Sequence, residues 1–205
     1  MGSRDLVLWE VDTQADFMLP GGKLYVPGAE KLLPKIEQLT NAARTGHCFL
    51  VSHGCYHAAD DPEFKMFPPH CVKGTPGSDY VAQALTDSVV RVPNETGSLP
   101  EDLSSYKQIL LEKQTLDIFE SRHAGALVDR LPRNAEFLVF GVVTEYCVRL
   151  AAKGLLERGR AVSVVQDAIE TLSPEEGRRT LVELQGLGAE LITTEQALAR
   201  LARRA

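Results

Sequence analysis

Phe137–Glu157, FLVFGVVTEYCVRLAAKGLLE, decides the fold. Phe137, Leu138, Val139 and Phe140 form a short unbroken apolar run with β-branched and aromatic members, the pattern of a parallel strand buried on both faces. Gly141 breaks the run, and Val148, Ala151, Ala152, Leu155 and Leu156 then recur at the spacing of one helix face. Cys147 therefore stands where a buried strand ends and a helix starts. The free N–H groups and positive dipole end of such a helix favour a thiolate, and the same N–H groups point at an oxyanion forming on whatever the sulfur attacks. A buried structural cysteine is the competing reading.

The pattern repeats outward from this unit. Leu6–Val11 reads as the first strand and delivers Asp12 to its C-terminal end, where ligands bind in open parallel α/β sheets. Residues 28–45 form an amphipathic helix with Leu32, Ile36, Leu39 and Ala43 inward. Residues 48–52 make the second strand and 79–85 a short helix. Turn signals across 89–106 predict an excursion from the sheet. Residues 108–111 are the third strand, ending in Glu112-Lys113, and 123–130 are helical. Residues 161–166 are the fifth strand, with a loop beginning at Asp167. Ser173-Pro174-Glu175-Glu176 is a helix start: a capping side chain, a proline in the first turn and acidic residues at the positive end. A sixth strand over 188–193 and a closing helix over 195–203 complete the chain. Strands alternate with helices, which predicts an α/β three-layer sandwich: a mainly parallel six-stranded sheet with helices on both faces.

With 205 residues and 44% apolar content, a single domain over 1–205 with a substantial core is the expectation. Twenty-two basic against 28 acidic residues give a net charge of −6, with no basic run or basic-aromatic stripe, which argues against nucleic acid and acidic membrane surfaces as partners. Four cysteines without a CxxC pair read as reduced thiols of a cytoplasmic protein. No apolar run reaches spanning length.

One stretch has no regular pattern: His53–Gly77, HGCYHAADDPEFKMFPPHCVKGTPG. Loops of this length inside a domain are functional or disordered, and four prolines stiffen this one. Three of the five histidines lie here, and His57, Glu63 and His70 are candidate ligands for a divalent metal. A rigid loop whose histidines make ordinary hydrogen bonds is the alternative.

Asp12, Lys113 and Cys147 thus fall at strand ends on one edge of the sheet: a proton acceptor, a cation and a nucleophile. Together with Gln14 and Asp16-Phe17 (DTQADF), Asp117 and Phe119 (EKQTLDIF), the GVVTEYCV run and FPPHCVKGT over Phe67–Thr75, they resemble the isochorismatase-like cysteine hydrolases, most of all the nicotinamidases, across roughly residues 5 to 195. The resemblance implies an amidohydrolase that cleaves a small amide, nicotinamide or a close analogue, through a cysteine thioester. Asp12 would take the thiol proton and later hand it to the leaving amine, Lys113 would stabilise the thiolate, and the N–H groups of Val143 and Cys147 would hold the oxyanion, with a cis peptide at Val142-Val143. It also implies substrate contacts from Phe17, Tyr56, Phe67 and Tyr146, and a homo-oligomer. The family's metal motif has an aspartate two residues before its first histidine, where this chain has Cys55. His57, Glu63 and His70 match a variant ligand set, and Cys55 could add a thiolate to a zinc site. A metal-independent ureido or acyl-amide hydrolase, and a non-catalytic binding member of the fold, remain the alternatives.

Overall fold

The computed structural model describes residues 5–203, so the extreme ends of the expected 1–205 domain lie outside the described residues. Among the described residues, seven strands form one sheet: β1 (Leu6–Val11), β2 (Phe49–Cys55), β3 (Val89–Val92), β4 (Gln108–Lys113), β5 (Glu136–Gly141), β6 (Ala161–Ile169) and β7 (Glu190–Ile192). Their order is β3-β4-β2-β1-β5-β6-β7, and every pairing is parallel. The chain runs outward from β1 in both directions, so the C-terminal ends of β1, β2, β4 and β5 meet at the middle of one edge. This is where strand order reverses and where such sheets build their sites.

Among the described residues six α-helices cover the sheet: the one-turn α1 (Ala15–Met18), then α2 (Leu33–Arg44), α3 (Ala124–Arg130), α4 (Arg149–Glu157), α5 (Pro174–Gly186) and α6 (Thr194–Ala202). Strand alternation explains the two cores. Leu8, Leu50, Leu138 and Phe140 face Ile36, Leu39 and Ala43 of α2 and Ala197 and Leu201 of α6. Val7, Trp9, Phe137 and Val139 face Leu127 of α3, Ala151, Ala152 and Leu155 of α4 and Leu184 of α5. The three-layer reading holds. Ser173 caps α5 through the Glu176 N–H, and Thr193 and Gln196 form a reciprocal capping box on α6.

The sheet has seven strands, not six. The extra one is β3, inside the segment expected to leave the sheet. It is a four-residue edge strand, largely half-exposed, and its flanking turn residues hide it. Of the expected short helix over 79–85 only a single 3₁₀ turn forms, Ala82–Ala84. β2 and β6 run three residues further than their apolar patterns, to Cys55 and Ile169, because their last residues are polar or small. Asp167 lies inside β6, where it accepts from Thr194 N at 2.7 Å and pairs with Lys35 at 2.9 Å.

Candidate active site

Asp12 follows the last residue of β1 in the left-handed region, at φ 50°. Its N–H donates to His53 O at 2.9 Å, which fixes the turn. On the neighbouring strand Gly141 has φ 117°, and a Cβ there would lie 2.1 Å from Val11 O, so β1 and β5 approach this closely only because residue 141 is glycine. Lys113, the last residue of β4, is fully buried, and its Nζ lies 3.0 Å from Asp12 Oδ2, 3.6 Å from Cys147 Sγ and 2.9 Å from Cys55 Sγ. One ammonium thus serves a carboxylate and two sulfurs.

Cys147 belongs to a single π-helical turn, Thr144–Val148, that precedes α4 rather than to the first turn of an α-helix. Burial, then repulsion from Asp12, pushes its thiol well above the usual range against the pull of Lys113. That direction runs against the one a helix N-terminus favours. Asp12 and Lys113 pair beside the sulfur. Burial works against the Lys113 charge too, but Asp12 and the two cysteines hold its pKa well above the ordinary lysine value. The Val142-Val143 peptide is cis, as the resemblance implied, and the Val143 N–H donates to no backbone carbonyl among the described residues.

Asp12, Cys55, Glu63, His70, Val143 and Cys147 line one pocket whose apolar walls include Phe17, Phe67, Tyr146 and Leu172; it encloses about 520 Å³ including its mouth. Tyr56 is not among the lining residues. Cys55 and Tyr56 are chain neighbours, and while Cys55 reaches the pocket, Tyr56 is buried with the Arg91 guanidinium 3.8 Å from its ring centre.

Beside Cys147, Cys55, His57 and His70 are all buried and can each offer a ligand atom within 4.8 Å of the others. The loop is folded to bring this about. His57 N donates to Cys71 O at 3.1 Å and Lys73 N to His57 O at 2.9 Å, while the Asp16 carboxylate accepts from Cys71 N at 2.7 Å and Lys23 N at 2.9 Å. Gln14 grips both backbone groups of Cys55 at 2.7 Å. His57 Nδ1 lies 3.0 Å from Asp61 Oδ2, and His70 Nδ1 lies 2.9 Å from Pro68 O, which leaves Nε2 of each ring available. His57 Nε2 is buried without a partner, and burial depresses His70 below the usual histidine range, which favours the neutral imidazole a metal would need. Two imidazoles backed by oxygen acceptors plus a sulfur fit a zinc-type ion. Glu63 lies outside this group. Its turn, Pro62–Lys65, sets the carboxyl at the pocket wall, where burial raises its pKa.

Sequence reasoning passed over three residues. His53 is fully buried with Nδ1 3.9 Å from Asp12 Oδ1, and burial pushes its pKa down to about 3, so it stays neutral. Leu172 lines the pocket and Glu145 accepts from its backbone N–H; no local spacing marks either, because the contact joins segments 27 residues apart.

An isochorismatase domain model matches residues 6–196. A nicotinamidase/pyrazinamidase of Mycobacterium tuberculosis is 29% identical over 188 residues, covering 89% of this chain and 95% of that protein. The zinc-complexed pyrazinamidase of Pyrococcus horikoshii superposes with a TM-score of 0.72 at 26% identity, over 92% of this chain and 99% of its own. A pyrazinamidase/nicotinamidase from Streptococcus mutans gives 0.74 at 26% identity, over 92% and 100%.

Proposed function

Because the chain belongs to the isochorismatase domain family, we propose that it is a single-domain cysteine amidohydrolase converting nicotinamide, or a close analogue, to the acid and ammonia. The observation that carries this reading is the contact of one buried ammonium with Asp12 at 3.0 Å and Cys147 at 3.6 Å at the floor of a pocket. The Cys147 proton passes to Asp12 as sulfur attacks the amide carbon. Lys113 keeps the sulfur's developing charge and the carboxylate in register. The N–H groups of Val143 and Cys147 take the oxyanion. The C–N bond breaks as Asp12 returns the proton to the departing nitrogen, and water, activated by the same carboxylate, releases the acid from the thioester. Phe17, Phe67 and Tyr146 hold the ring of the substrate.

Cys55, His57 and His70 would hold a divalent ion, zinc by the softness of the sulfur, and it would supply an electrophilic anchor for a ligand's lone pair. Four free cysteines support a reducing compartment such as the cytoplasm, and no helix among the described residues is long and apolar enough to cross a membrane.

Purified protein offered nicotinamide, pyrazinamide and a panel of linear amides and ureido compounds should release ammonia from the aromatic amides, and Cys147→Ala should release none. Ammonia from ureido compounds alone would replace this substrate class with the metal-independent alternative. No ammonia from any of them, with Cys147 intact and alkylatable, would overturn the reading.

A further inference from the structure

We propose that Glu145 is a positioning residue that sets the site's selectivity by holding Leu172 across the pocket mouth. The proposal takes its substrate class from the amidohydrolase reading, but its geometry stands apart from it. Leu172 lines the pocket yet is 49% exposed, so packing alone does not fix it. Its position comes from the backbone of the segment 170–173, and that backbone is tied to the nucleophile's own turn. Glu145 Oε1 accepts from Leu172 N at 3.0 Å and Ser173 N at 2.9 Å, while Oε2 accepts from Thr171 Oγ1 at 2.6 Å. Thr144 donates to Glu170 O twice, from its N–H at 2.8 Å and its hydroxyl at 2.7 Å. The ties originate two and three residues before Cys147.

The consequence is mechanical. Tyr146, adjacent to Glu145, lies edge-on to Phe67 with ring centres 6.3 Å apart, and these two rings and Leu172 frame the opening. Wall and sulfur then move as one body, and the distance from nucleophile to wall is held by the carboxylate. A flat unsubstituted primary amide passes between them. An amide with a bulky substituent on nitrogen or ring meets Leu172. Charged acceptors make the stronger hydrogen bonds, and an unpaired donor is costly to leave, so a carboxylate taking three donors is a firm clamp.

The test reads the nucleophile directly as well as turnover. Alkylation rates of Cys147 with iodoacetamide and with a bulky N-aryl iodoacetamide give a selectivity ratio that needs no substrate, and KM and kcat are measured for the amide turned over by wild type. Glu145→Ala should shift the ratio toward the bulky reagent by roughly tenfold, the scale of a lost hydrogen bond to a charged group, with KM rising more than kcat falls. Leu172→Ala, at a half-exposed position that leaves the core alone, should shift it similarly. The double variant should be no further shifted than either single one, since both act through one wall. Glu145→Gln, which keeps an acceptor for the two N–H groups, should restore most of the ratio. An unchanged ratio in Leu172→Ala, or additive shifts in the double variant, would overturn the clamp. The expected ratios without hydrolysis of any amide would uphold the clamp and sink the amidohydrolase reading instead.

Discussion

Asp12 concentrates three requirements in one residue. It turns the chain at φ 50°, a region that aspartate tolerates better than most side chains. It neutralises a lysine buried as fully as any residue of the core. In the proposed mechanism it is also the base for the Cys147 thiol, whose pKa burial raises. Asp12→Asn keeps the shape and removes the base, so kcat/KM should fall about 10²- to 10⁴-fold, and iodoacetamide labelling of Cys147 near neutral pH should slow with it. Lys113→Ala differs, because it strands a buried carboxylate. Breaking such a pair from one side costs about 3–5 kcal/mol, whereas replacing both charges is often neutral. Lys113→Ala should therefore melt well below wild type, while Asp12→Asn combined with Lys113→Met should recover most of the melting temperature and none of the activity. Calorimetry on the three variants checks this. A Lys113→Ala protein that keeps both its stability and its turnover would remove the ion pair from the mechanism.

The end of β2 and the loop after it show what one sequence discloses. The acid and the lysine were legible because each stands at the end of an apolar strand run, and the thiol because it stands where such a strand gives way to a helix. The HGC ending of β2 was not, since His53, Gly54 and Cys55 break the apolar pattern while still pairing with β4. The resemblance implied a substrate contact from Tyr56, but that residue follows the end of β2 and is buried against Arg91 instead. The metal group was half legible: His57 and His70 stood out, but choosing Cys55 over Glu63 needed the loop's fold, with His57 bridged to Val72. Protein purified without chelator should carry zinc by elemental analysis, and His70→Ala should carry none. Asp61→Ala, which removes the oxygen behind His57 Nδ1, should weaken binding about 10- to 100-fold. With cobalt in place of zinc, a sulfur-to-metal charge-transfer band should appear in wild type and vanish in Cys55→Ser. Undiminished metal in His70→Ala would put the ion elsewhere.

At the scale of the whole molecule, the sheet carries a buried acid with no part in the chemistry. Glu10 of β1 is fully buried on the α2 side, accepts from Ser52 Oγ at 2.5 Å, and Ser52 in turn accepts from Gln108 Nε2 at 2.7 Å. Burial raises its pKa from 4.5 to about 8, against the Ser52 and Thr13 hydrogen bonds and the more distant Arg44. The folded state thus holds a proton that the unfolded chain gives up near 4.5. Stability from this group is fully present below that value, declines as pH rises through the window between 4.5 and about 8, and is flat beyond. At about 1.4 kcal/mol per unit, the loss across the window is on the order of 3–5 kcal/mol. Glu10→Gln keeps the shape without the charge. Its melting temperature should match wild type at pH 5 and exceed it by several degrees at pH 9, since about 1 kcal/mol moves a chain of this size by roughly 2–4 °C. Because every other titrating group is common to both proteins, the difference between their two pH curves isolates Glu10. Parallel curves from pH 5 to 9 would mean that water or a structural shift already relieves the buried charge, and that the folded state holds no extra proton on Glu10.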